Sequence, residues 1–189
     1  VQDGQLYRVP GKGTYVSSPT VAPLAAFTSF SENMRSQGLT PSYRVLSSHW
    51  GEPSDLVRAE LEMGPGERVF ELERLLLAGG EPIGLQYGSY PERLVGSLAS
   101  QLTSATLGTS SLYQLLEERL GLRLERAEEI IGPAVANRKE VSLLEVAEQA
   151  PVLVVKRIAW LQTGEPVETV KLVFRGDKYR YRVDVRRGS

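Results

Sequence analysis

Cysteine is absent from this 189-residue chain, histidine occurs once, as His49, and no apolar run approaches the roughly 18 residues of a membrane-spanning helix. The first absence excludes disulfides, thiolate metal sites and cysteine nucleophiles. The second excludes a histidine-rich metal site or a two-histidine acid–base pair within one chain. Net charge is nearly absent too: 22 basic residues face 23 acidic ones, which argues against strong nucleic-acid binding through a broad basic surface. No leader with a basic start and an apolar middle is visible, so a cytoplasmic protein without metal or cofactor is expected. What is present is an apolar fraction of 41%, enough for the core of one domain or of a domain with an appendage.

Residues 4–16 read as a small β-hairpin. Leu6 to Val9 alternate apolar and polar, Pro10-Gly11-Lys12-Gly13 supplies the turn, and Thr14-Tyr15-Val16 returns as a β-prone run. A lone hairpin is marginal in water, so residues 1–16 are expected to be the remnant of a domain that has been cut away. The glycine-rich turn lacks the strand-to-helix context of a phosphate loop and suits a tip touching a DNA backbone, with Arg8 and Lys12 as cations. Residues 17–25, with two prolines and two serines, read as a linker, and 26–187 as the main domain.

Within that domain, Ser29-Phe30-Ser31-Glu32 has capping-box spacing and predicts a helix to about Gln37, stopped by Gly38. A duplicated unit follows. Its first copy is a helix over Ser54–Met63, a strand over Val69–Leu77, a Gly-Glu-Pro turn and a returning strand over Ile83–Tyr90. Its second is a helix capped at Ser142 and broken at Ala150-Pro151, then strands Val152–Leu161 and Val167–Phe174 around Thr163-Gly164-Glu165-Pro166. Arg74 and Arg157 keep the same distance, to within one residue, from their Gly-Glu-Pro turns. The pattern predicts an α+β domain whose paired hairpins join one antiparallel sheet. Between the copies, Ser111-Leu112-Tyr113-Gln114 reads as another capping box opening a helix closed by Gly121, and a strand is expected over Leu122–Ile131. Lys178 to Arg187 read as a half-buried final strand, and His49 as structural or exposed.

Strand alternation puts Arg74 on a face with Phe70, Leu72 and Leu76. Arg157 falls with Leu153, Val155, Ala159 and Leu161, and Glu168 with Val170, Leu172 and Phe174. A charge on an apolar face is costly unless paired. Two accounts are open: either arginine pairs with Glu168 inside the core, or the face lines a cavity whose ligand supplies the countercharge to an arginine fork. The serines at the two helix starts add potential donors beside unpaired amides, although ordinary capping is their default role.

Several stretches resemble, in order, the UTRA effector domain of the HutC branch of GntR-type transcription regulators. They are Phe27 to Pro41, Arg74 with Gly80-Glu81-Pro82-Ile83, Ser110-Ser111-Leu112-Tyr113, and Phe174-Arg175-Gly176-Asp177-Lys178-Tyr179. Gly11-Lys12-Gly13-Thr14-Tyr15-Val16 resembles the end of the winged-helix wing of the same regulators. The resemblance implies a chorismate-lyase-like antiparallel sheet with flanking helices, usually in a homodimer. It also implies operator DNA as a partner, contacted here through Arg8, Gly11, Lys12, Gly13 and Thr14, and a small organic acid or phosphorylated metabolite as effector. By the same likeness the effector is contacted by Phe30, Ser31, Arg74, Ser111, Tyr113 and Glu168, with Phe174 nearby. This chain departs from phosphosugar-binding relatives in having Leu76 for a second arginine, Gln86 for a glutamate and Phe174 for a tyrosine. A singly charged or more apolar ligand is therefore expected. Two rivals stand beside this reading: a lyase-type enzyme of the same fold, with Arg74 clamping an aromatic acid and Glu168 as acid–base group, and a dimerisation module with a filled core.

Overall fold

The computed structural model describes residues 6–9, 13–16, 29–109 and 111–181. The expected hairpin is there as β1 (Leu6–Val9) and β2 (Gly13–Val16), antiparallel, with Leu6 opposite Val16. Its turn, Pro10 to Lys12, and the expected linker at 17–25 lie outside the described residues.

The other strands are β3 (Pro41–Gly51), β4 (Val69–Ala78), β5 (Glu81–Pro91), β6 (Leu124–Val135), β7 (Pro151–Leu161) and β8 (Pro166–Arg175). They form one antiparallel sheet in the order β3-β4-β5-β8-β7-β6. Each half is a three-stranded meander, and the halves meet where β5 pairs with β8. The duplicated hairpins anticipated from the sequence are β4–β5 and β7–β8, the four inner strands.

Alternation along these strands sorts side chains onto two faces. One carries Phe70, Leu72, Leu76, Val155, Ala159 and Val170 into the larger core. Helices α1 (Phe30–Ser36), α3 (Glu92–Val95), α4 (Ser104–Thr109) and α5 (Leu112–Leu120) complete this core with Met34, Val95, Leu107 and Leu116. The opposite face packs Leu75, Leu85, Val152 and Val173 against Leu144 of α6 (Arg138–Leu144). A small cluster of Leu61, Met63 and Val69 sits beside α2 (Asp55–Glu60).

Several expectations are corrected. Helix α6 begins at an Asn137 cap and ends at Leu144, so Ser142 lies inside it. Asn137 and Glu140 exchange side-chain-to-backbone bonds of 2.9 Å each, a capping box five residues before the one anticipated. Ser111 is the N-cap of α5 but makes no side-chain cap bond, and Gln114 turns outward to Glu118 at 2.8 Å. Strand β3 was not anticipated, and α2 stops at Glu60. Strand β6 runs past Gly132-Pro133, which an edge strand tolerates because the missing N–H is not needed by a neighbour. Of the final strand expected at 178–187, the structure has the end of a turn at 176–178, a single bridge at Tyr179 and no regular structure at 180–181; residues 182–187 lie outside the described residues. The Ser29–Glu32 box and the Gly121 stop stand as anticipated, Gly121 at φ 64°.

Candidate effector site

On the cavity face of β5, Gly84, Gln86, Gly88 and Tyr90 alternate, and the two glycines make room for rings. A Cβ on Gly84 would fall 2.6 Å from the Phe174 ring, and one on Gly88 2.6 Å from the Tyr90 hydroxyl. The rings of Phe174 and Tyr90 thus lie flat on the sheet. Above them is a cavity of about 370 Å³.

Arg74, 3% exposed, projects from the middle of β4 into this cavity. Its guanidinium donates twice to Gln86 Oε1, at 2.7 and 3.1 Å, and once to the Leu107 carbonyl at 3.1 Å. It lies 4.2 Å from the centre of the Tyr43 ring. Gln86 in turn donates to the Tyr90 hydroxyl at 3.1 Å. Burial lowers the proton affinity of Arg74, and Tyr90, Tyr43 and Glu168 oppose that effect.

Arg157, on β7, faces the same cavity from the other half of the sheet. Here the partner is a carboxylate: Glu129, directly opposite on β6, accepts from Arg157 Nε at 2.6 Å. Arg157 also donates to the Tyr113 hydroxyl at 3.2 Å. Despite burial, Tyr113, Glu129 and Glu168 push its pKa up.

Glu168, on β8, is 1% exposed. Tyr113 donates to its Oε1, whereas Oε2 is buried with no hydrogen-bond partner. Burial raises the Glu168 pKa; Arg157, Tyr113, Tyr90 and Arg74 pull the other way without cancelling the rise. Burial, reinforced by Glu168, lifts the Tyr113 phenol well above its ordinary range. The direct arginine–Glu168 pairing considered from the sequence does not form; Tyr113 stands between Arg157 and Glu168.

Of the residues singled out from sequence, Phe30, Arg74, Gln86, Ser111, Tyr113, Glu168 and Phe174 line the cavity, and Ser31 and Leu76 do not. Ser31 is buried against the Tyr43 hydroxyl, and Leu76 is fully enclosed in the core. Of the wing residues, Arg8, Gly13 and Thr14 belong to the two hairpin strands, and Gly11 and Lys12 lie outside the described residues. Sequence reasoning missed Tyr43, Tyr90, Glu129 and Tyr179 as cavity residues. Tyr90 was legible, being on the same strand face as Gln86. Tyr43 was not, because its strand had gone unrecognised.

A sheltered, aromatic-walled chamber with a guanidinium, a serine and a buried carboxyl suits a small ligand with an acidic end and a donor elsewhere. Such a chamber does not fit a module with a filled core. Among the described residues no group of three histidine, aspartate or glutamate side chains is placed to hold a metal ion.

Comparison with known proteins agrees with this geometry. The UTRA domain family matches residues 36–180. The chain is 32% identical to the HTH-type transcriptional repressor NagR of Bacillus subtilis over 182 residues, covering 96% of this chain and 73% of that protein. It is 30% identical to the HTH-type transcriptional regulator Rv0792c of Mycobacterium tuberculosis, covering 98% and 68%. The crystal structure of PhnF from Mycobacterium smegmatis shares the fold with a TM-score of 0.86 at 23% identity, covering 98% of this chain and 80% of that one. These relatives are named as transcription regulators, so the lyase-type alternative finds no support. A buried-arginine cavity on a six-stranded antiparallel sheet, and the match of residues 36–180, lead to one assignment: the chain belongs to the UTRA domain family of GntR-type transcription regulators.

Proposed function

We propose that the cavity binds a small organic anion with one negative charge and a partly apolar body, and that this effector tunes operator binding. The observation that carries the reading is the placing of Arg74: a guanidinium only 3% exposed projects into a cavity that Ser111, Tyr113 and Glu168 also line, and its planar fork suits an acidic ligand group there. Leu76, where phosphosugar-binding relatives carry a second arginine, supports a single rather than a double charge on the ligand. The residues proposed to touch it are Phe30, Arg74, Gln86, Ser111, Tyr113, Glu168 and Phe174.

In this reading residues 1–16 are the wing of a winged helix, with Arg8, Gly11, Lys12, Gly13 and Thr14 at the operator, and 17–25 link it to the effector domain at 26–187. A ligand that prefers one arrangement of these parts shifts the population and hence operator affinity; couplings of about 1–3 kcal/mol are typical. Acting on operator DNA places the protein in the cytoplasm. A homodimer is supported by β6, an edge strand on which Ile130 is 66% and Val135 61% exposed.

The test is a thermal-shift screen of organic acids and sugar phosphates on the wild type and Arg74→Ala. Monoanionic acids are expected to raise the melting temperature, and Arg74→Ala to weaken the best of them by about 10- to 100-fold. Tight binding of an amino-sugar phosphate in calorimetry would overturn the ligand class. Operator affinity of the full-length regulator that ignores every bound acid would overturn the mechanism.

A further inference from the structure

The segment that follows β8 crosses the cavity wall. Its near end is fixed: Arg175 holds Asp177 through two parallel contacts of 3.0 and 2.7 Å, and its carbonyl accepts the amides of Lys178 and Tyr179 at 3.3 and 2.9 Å. Farther on, the Tyr179 ring stacks on Phe174, with centroids 3.7 Å apart and planes within 4°. Tyr181, 39% exposed at the rim, donates its hydroxyl to Glu129 Oε2 at 2.6 Å. Both tyrosines line the cavity.

Glu129 is also the carboxylate that holds Arg157. The polar contacts therefore run without a break from the cavity floor to the rim: Tyr113 donates to Glu168, Arg157 donates to Tyr113 and to Glu129, and Tyr181 donates to Glu129. The participants come from β8, α5, β7, β6 and the C-terminal segment, so no single element can shift its member without disturbing the next. At the floor Glu168 Oε2 is buried with no hydrogen-bond partner.

We infer that residues 176–181 form a strap over the cavity, and that its closure is set from the floor through Tyr113, Arg157 and Glu129. A ligand donor that draws on the Glu168 carboxylate competes with Tyr113 for it. Tyr113 and Arg157 then readjust, and the hold of Glu129 on Tyr181 changes. Occupancy of the cavity is thereby converted into the position of residues 176–181. This extends the effector reading above, because it assumes that a small molecule occupies the cavity. The coupling itself exists in the unliganded protein and is tested there.

The experiment is native-state amide hydrogen exchange on the whole chain, comparing wild type, Tyr113→Phe, Tyr181→Phe and the double variant. Each single substitution removes one hydroxyl and keeps its ring. Tyr113→Phe, remote in sequence, is expected to speed exchange of the Lys178 and Tyr179 amides about tenfold, the weight of one hydrogen bond to a charged group. Tyr181→Phe does the same and in return loosens the first turn of α5, where Leu115 N–H bonds the Ser111 carbonyl at 3.2 Å. The double variant goes no further than the singles. Exchange in α6, on the opposite face, stays at the wild-type rate. The inference is overturned if Tyr113→Phe leaves the strap amides unchanged, if the two effects multiply, or if Tyr181→Phe loosens its own segment alone. That last comparison decides the matter even where Tyr113→Phe does not fold. A failed ligand screen with these exchange results intact would sink the effector reading and leave the strap standing.

Discussion

Replacing Gly88 by alanine adds a single methyl group, and the structure says where it must go. The new Cβ would stand 2.6 Å from the Tyr90 hydroxyl oxygen and 2.9 and 3.0 Å from two ring carbons. Tyr90 is fully enclosed, so its ring cannot swing into solvent; it must lift from the sheet toward the cavity, away from the Gln86 amide that donates to it at 3.1 Å. The hydrogen bond lost is worth about 1 kcal/mol, and overpacking a tight core site costs about 1–3 kcal/mol. The stiffer unfolded chain returns about 0.4–1 kcal/mol. The net expectation is a loss of about 2 kcal/mol, which for a chain of this size lowers the melting temperature by about 4–8 °C. Gly132→Ala on β6 is the internal control, because its added Cβ meets nothing within 4 Å. Thermal and urea unfolding of both variants should give a clear loss at 88 and a change within about 0.5 kcal/mol at 132. If Gly88→Ala is as neutral as Gly132→Ala, the assignment of that glycine as a seat for the Tyr90 ring is wrong.

Two further outcomes follow from the site and its helices. The Glu168 carboxyl titrates above its ordinary range because of burial, so the folded state keeps an extra proton between the unfolded and folded pKa values. Stability therefore falls as pH rises from the ordinary carboxylate range through the folded pKa, then levels off. Glu168→Gln should remove that component, so urea midpoints of variant and wild type should diverge in the variant's favour as pH rises; parallel curves or the opposite slope would contradict it. Asn137→Ala should cost about 1 kcal/mol through the lost cap of α6, whereas Ser111→Ala, with no cap bond to lose, should stay within about 0.5 kcal/mol. Equal losses in chemical denaturation would show that the two caps do not differ as described.

The inner sheet was readable from sequence because both hairpins carry long alternating runs around unmistakable turns, and the faces assigned to Arg74, Arg157 and Glu168 hold in three dimensions. Strand β3 was not readable. It lies at the sheet edge, a register shift between Val45 and Ser47 breaks its alternation, and Ser47 and His49 are exposed, so it lacks the pattern of a half-buried strand. Register is the other limit. Alternation says which way Arg157 points but not that Glu129 faces it across the β6–β7 ladder, which only the folded pairing supplies. The α6 cap was missed for a simpler reason: two possible boxes follow one another in that stretch, and the one with asparagine prevails over the one with serine.

The doubled architecture has a last consequence. Arg74 and Arg157 hold matching stations in the two meanders, yet the first takes its amide from the inner neighbour β5 and the second its carboxylate from the outer neighbour β6. A scaffold of near-equal halves is thereby given polarity. Under the effector reading proposed above, the two ends of a guest would meet unlike surroundings, an amide-held guanidinium at one and a carboxylate-held guanidinium at the other.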